Sequence, residues 1–116
     1  MTGPRHLVLP MTAALLGIAV PVWTFASAET IRVEVKGLAF IPAQIKARVG
    51  DTIEWANEDF VAHTATARDG AWDVMLPPHT LDRIVLKRPG QFEYYCRYHP
   101  NMKGEIDVAP DRRSQP

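Results

Sequence analysis

The chain has 116 residues, enough for one domain, and balances 13 basic against 13 acidic side chains. That balance leaves no global field to hold nucleic acid, which is not expected as a partner. A hydrophobic content of 47% argues against a disordered chain, and a single cysteine excludes an intrachain disulfide.

Residues 1–28 read as a signal peptide. Arg5 gives a positive start, no residue from Leu7 to Phe25 is charged, and Ala26-Ser27-Ala28 is a small-x-small cleavage site ahead of the charged Glu29. The uncharged stretch approaches the ~20 residues that a spanning helix needs. Pro10 and Pro21 interrupt it, and with the cleavage site they favour removal over retention as an anchor. The protein is therefore expected to be exported, with no stable membrane association after cleavage. A lone cysteine in an oxidising compartment is a liability unless it is buried or ligated.

Residues 29–110 are expected to form one domain, followed by a polar tail at 111–116. Apolar residues in this domain recur at period two. Ile31, Val33 and Val35 alternate with Arg32, Glu34 and Lys36 before Gly37. Ile45, Ala47 and Val49 alternate with Lys46 and Arg48, and Gly50-Asp51 turns the chain. Ile53 and Trp55 follow, then Ile84 and Leu86, then a Pro89-Gly90 turn. Phe92, Tyr94 and Cys96 share a face opposite Glu93 and Tyr95, and Ile106 and Val108 close the pattern. Short alternating runs between turn signals predict an all-β domain, an antiparallel sandwich or barrel. No stretch predicts a long amphipathic helix.

Chemistry concentrates in Cys96-Arg97-Tyr98-His99-Pro100-Asn101-Met102. A thiolate, an imidazole and a thioether, each two residues from the next, can converge within one tight loop. Thiolate plus imidazole with a weak axial thioether suits copper cycling between two oxidation states, and suits zinc less well. If Phe92 and Tyr94 face the core, so does the Cys96 sulfur at the strand end. A second imidazole would complete the set. His6 leaves with the signal peptide and His79 follows Pro77-Pro78 in an expected exposed loop, so His63 remains by elimination.

These residues resemble the cupredoxins, the type 1 blue copper proteins, and among them the amicyanins most. The resemblance rests on the short Cys-x2-His-x2-Met loop with Pro100 and Gly104, on Gly50-Asp51-Thr52-Ile53-Glu54-Trp55-Ala56-Asn57, and on Pro89-Gly90-Gln91-Phe92-Glu93-Tyr94-Tyr95-Cys96. It spans nearly all of the chain beyond the signal peptide. It implies a Greek-key β-sandwich holding one copper ion at one end, with His63, Cys96 and His99 as equatorial ligands and Met102 as the axial one. It also implies single-electron transfer in the periplasm, between partners such as a dehydrogenase donor and a cytochrome c acceptor.

Two positions depart from the family pattern. Tyr98 stands where the family has a proline, and its N–H is expected to reach the Cys96 sulfur and raise the reduction potential. Thr64 replaces the asparagine usual after the first histidine, which predicts a looser tie between the two ligand loops.

His99, beside Pro100, is the expected electron port, with Met75, Leu76, Pro77, Pro78 and Pro100 as an apolar docking patch for weak, transient contacts of a monomer. Arg97 and Lys103 either steer an acidic partner or are ordinary solvated surface. A copper-delivery protein is the rival reading, since the same ligands would hold Cu(I). An enzyme is not expected: four ligands leave no open metal position, the histidines run out, and Asp69, Asp73 and Asp82 read as turn and surface residues.

Overall fold

The computed structural model describes residues 2–21 and 27–111. Residues 2–21 form no helix or strand and are exposed. No helix among the described residues is long and apolar enough to cross a membrane. Ala26 of the expected cleavage site, and all of the expected polar tail but its first residue, Asp111, lie outside the described residues.

Nine strands follow in order: β1 (Thr30–Lys36), β2 (Ala39–Ile41), β3 (Gln44–Arg48), β4 (Thr52–Asn57), β5 (His63–Ala67), β6 (Asp73–Leu76), β7 (Leu81–Val85), β8 (Gly90–Cys96) and β9 (His99–Ala109). They make two sheets, β2-β1-β4-β7 and β3-β9-β8-β5-β6. The sandwich is as expected, but its pairing is mixed. β1 runs parallel to β4 and β3 parallel to β9, while the remaining pairs are antiparallel. The Gly37 turn joins antiparallel neighbours, β1 and β2, but a parallel neighbour needs a crossover rather than a hairpin, so the turn signal at Gly50 marks where the chain leaves β3 without naming its partner.

The alternation read from sequence is the core. Val33 and Val35 of β1, Ile45 and Ala47 of β3, Ile53 and Trp55 of β4, and Phe92, Tyr94 and Cys96 of β8 all point inward and are buried. Aromatic rings fill the centre. Tyr94 lies 4.6 Å from Phe40 and 5.6 Å from Trp55 between ring centroids, the latter edge-on. Such contacts add to simple burial. Burial pushes the Tyr94 phenol up to about 12, so it stays neutral. Gly104 lies across from Tyr94 in the β8–β9 ladder, and a Cβ there would collide with the Tyr94 ring. The glycine lets the ring lie flat over β9.

Three strands escaped the sequence reading. β2 is only three residues long. β5 alternates only threonine with alanine, a weak contrast in hydrophobicity, and four of its five residues are buried. Asp73, expected in a turn, opens β6. The strand expected around Ile84 and Leu86 begins earlier, at Leu81. Leu86 lies just beyond it, buried, exchanging backbone hydrogen bonds with Gly50 and Asp51.

Candidate metal centre

Strand pairing explains why residues distant in sequence meet. β5 runs antiparallel to β8, so the start of one lies beside the end of the other. His63 opens β5 and Cys96 ends β8. β8 and β9 are antiparallel neighbours joined by a short turn, and their register sets Cys96 opposite His99, with an irregularity between Tyr95 and Cys96. The three side chains therefore collect at one end of the sandwich.

His63 Nδ1 lies 3.7 Å from the Cys96 sulfur and His99 Nδ1 lies 3.6 Å from it. All three donor atoms are within 4.8 Å of one another, close enough to hold a metal ion. Three donors about 2.1 Å from a common centre in one plane would stand about 3.7 Å apart. The two sulfur–nitrogen spacings match that figure. Cys96 and His63 are fully buried, Met102 is buried in the same core cluster as Cys96 at 3% exposure, and His99 is half-buried. His79 stays away from this group, exposed, its ring edge-on to Phe60 at 4.9 Å.

The second nitrogen of His63, Nε2, donates to Asp59 Oδ2 at 2.8 Å, which turns Nδ1 toward the sulfur. Asp59 also accepts from Gly37 N–H at 2.8 Å and Leu38 N–H at 3.2 Å. Burial works against the charge of Asp59, but the bonds from Gly37, His63 and Leu38 outweigh it and hold the carboxyl below the usual aspartate range. One carboxylate thus ties the β1–β2 turn, where Gly37 and Leu38 both have positive φ, to the histidine. Asn57, 2% exposed, braces the segment between. Its side chain donates to Val61 and Leu76 carbonyls at 2.9 Å each and accepts from Asp59 N–H. Asp59 did not stand out in the sequence, and Asn57 did so only as the last residue of the Gly50–Asn57 motif, with no role assigned. The available signal was an acid four residues before the histidine, outside any helical pattern.

Both expectations drawn from the family departures are corrected. Tyr98 N–H is not among the donors to the sulfur. Among the described residues the one backbone donor to it is Thr64 N–H, at 3.4 Å. Arg97 N–H is turned to Thr64 Oγ1, and the Tyr98 side chain faces outward, 50% exposed, with the Arg97 guanidinium 5.9 Å from its ring centroid. Nor does Thr64 loosen the site. Its N–H bonds the sulfur and its hydroxyl accepts from Arg97 N–H at 2.9 Å, joining the two ligand segments directly.

The expected apolar patch needs one revision as well. Leu76 is fully buried and takes no part, whereas Met75, Pro77, Pro78 and Pro100 are exposed. Phe60 at 88% exposure and Val61, from the segment before His63, add apolar surface missed in the sequence.

A family model described as a cupredoxin-like domain matches residues 7–108. The methylamine utilization protein MauL of Methylorubrum extorquens is 33% identical, over 90% of this chain and 92% of that protein. Amicyanin-alpha of the same organism is 27% identical over 84% of this chain and 87% of its own length. Among solved structures, an oxidised amicyanin variant superposes with a TM-score of 0.64 at 21% identity, covering 68% of this chain and 81% of that one. A purple cupredoxin from Nitrosopumilus maritimus gives 0.60 at 22% identity, covering 67% and 98%.

Proposed function

The chain belongs to the cupredoxin-like family, and from that premise we propose that it is an exported carrier of single electrons whose copper is held by His63, Cys96, His99 and Met102. The observation that carries this reading is the convergence of His63 Nδ1, Cys96 Sγ and His99 Nδ1 within 4.8 Å at the end of a rigid sandwich. Copper, when bound, supplies a one-electron couple at moderate potential; a soft thiolate, two imidazoles and a weak thioether suit both of its oxidation states.

The chain's part is to hold one geometry through both states. His63 is pinned by Asp59, the Cys96 sulfur receives the Thr64 N–H, and all but His99 are buried. A ligand set that moves little on electron transfer keeps the barrier low. His99, half-buried beside Pro100, offers the shortest way out. Met75, Val61 and Phe60 give the surrounding surface an apolar character suited to brief docking. A dehydrogenase as donor and a cytochrome c as acceptor are the partners we infer, met by a monomer in the periplasm. Export is supported by Arg5, the uncharged stretch that follows and Ala26-Ser27-Ala28.

A copper-delivery protein with the same ligands is separated by exchange. The carrier reading predicts a reversible one-electron wave in voltammetry and slow loss of Cu(I) to a modest chelator. Rapid, complete transfer to that chelator with no reversible wave would favour delivery.

A further inference from the structure

Asp73 opens β6 and stands opposite Thr66 of β5 on the outer side of the sheet. Its Oδ1 accepts from the Thr66 hydroxyl at 2.7 Å and from Arg97 Nε at 3.3 Å. The Thr66 and Thr64 hydroxyl oxygens are 2.9 Å apart, and Thr64 Oγ1 accepts from Arg97 N–H at 2.9 Å. Counting protons fixes the direction of these bonds. An ionised carboxylate only accepts, so the single Thr66 proton goes to Asp73, and the bond between the hydroxyls must be donated by Thr64. The order is Arg97 N–H to Thr64, Thr64 to Thr66, and Thr66 to Asp73. The Arg97 side chain returns to the same oxygen and closes the loop.

From this arrangement we propose that Asp73 is a positioning residue for the metal loop. Its carboxylate orients the Thr66 and Thr64 hydroxyls and the Arg97 backbone, and so keeps Thr64 N–H aimed at the Cys96 sulfur. The inference rests on the reading that Cys96 binds copper. An ion pair between side chains as exposed as Asp73 and Arg97, 52% and 39%, is worth little alone. The difference here is that the pair terminates a chain of hydrogen bonds running inward to fully buried Thr64. Successive bonds of one sense polarise each other, and the chain ends one residue from the sulfur on the loop side and at the sulfur's own donor on the β5 side. A hydrogen bond to the thiolate favours the electron-rich reduced site, so the relay acts on the potential without touching the metal.

The test uses two readouts. In the metal-free full chain, Asp73→Ala and Thr66→Val should speed amide exchange of Thr64 and Arg97 by about tenfold. Asp73→Asn, which keeps an acceptor for both donors, should stay within about twofold of the unchanged protein. In the copper-loaded protein, Thr66→Val alters no charge and should lower the reduction potential. Unchanged exchange in Asp73→Ala, or a Thr66→Val potential equal to that of the unchanged protein, would overturn the proposal. A copper-loaded chain without a thiolate-to-copper absorption band would defeat the copper reading instead, and the exchange rates would still decide whether the relay holds the loop.

Discussion

At the scale of single residues, the site is decided by which atom each side chain is forced to present. His63 has two nitrogens, and the Asp59 carboxylate at 2.8 Å from Nε2 assigns Nδ1 to the sulfur side. Oδ2 of Asp59 accepts from both His63 and Leu38 N–H. Asp59→Asn would put a donor where two donors already point, or turn its amide toward Gly37 N–H instead. Its Cu(I) affinity should fall by about tenfold to a hundredfold, the usual cost of losing a partner that orients a ligating histidine. Competitive titration against a Cu(I) chelator measures it; an affinity within twofold of the unchanged protein would mean that Nδ1 is oriented by packing alone. Cys96, His99 and Met102 were singled out in the sequence because they lie within seven residues, and the structure brings Cys96 and His99 together across the β8–β9 turn. His63 was reached only by eliminating the other histidines. Asp59, Asn57 and the Thr64–Thr66–Asp73 relay were not legible. Their roles depend on where the 57–63 segment folds and on the β5–β6 register, neither of which leaves a pattern in composition or spacing.

At the scale of elements, the β8–β9 hairpin carries the metal loop and part of the core together. Tyr94 packs under Gly104 two residues before the cysteine, so the rings that fill the sandwich also set the height of the strand end that presents Cys96. Gly104→Ala forces a methyl group into a fully buried ring. It should destabilise the metal-free protein by about 2–3 kcal/mol, within the range for overpacked cores, as read from the midpoint of urea unfolding. Combining it with Tyr94→Leu should cost less than the two single changes summed, because the colliding atoms are gone. Additive costs would show that the glycine serves the backbone rather than the ring. The alternating strands β1, β3, β4 and β8 were readable because one face of each is buried. β5 was not, since its alternation sets only threonine against alanine, a contrast too small to mark an inward face, and four of its five residues are buried. The parallel pairings β1–β4 and β3–β9 were also beyond reach, because alternation tells which face is inward but not which strand is the neighbour.

At the scale of the whole molecule, charge is balanced and the arginine of the metal loop is already engaged. Arg97 is held by Asp73 and lies 3.0 Å from the Met75 sulfur. Of the two residues considered for steering, Lys103 alone has no ion pair among the described residues. Association with a redox partner should therefore depend weakly on salt, changing by less than about threefold between 0.05 and 0.5 M, where screening grows from partial to nearly complete. A steep fall in stopped-flow rate over that range would mean that local charge, not the apolar rim around His99, guides docking. The central claim is that His63, Cys96, His99 and Met102 bind one copper ion with the Cys96 sulfur as a thiolate ligand. Its most direct test is the optical spectrum of the oxidised, copper-loaded protein beside its Cys96→Ser variant. An intense band near roughly 600 nm, absent from the variant, is the predicted result. A copper-loaded protein without that band, or a band that survives loss of the thiol, would contradict the account.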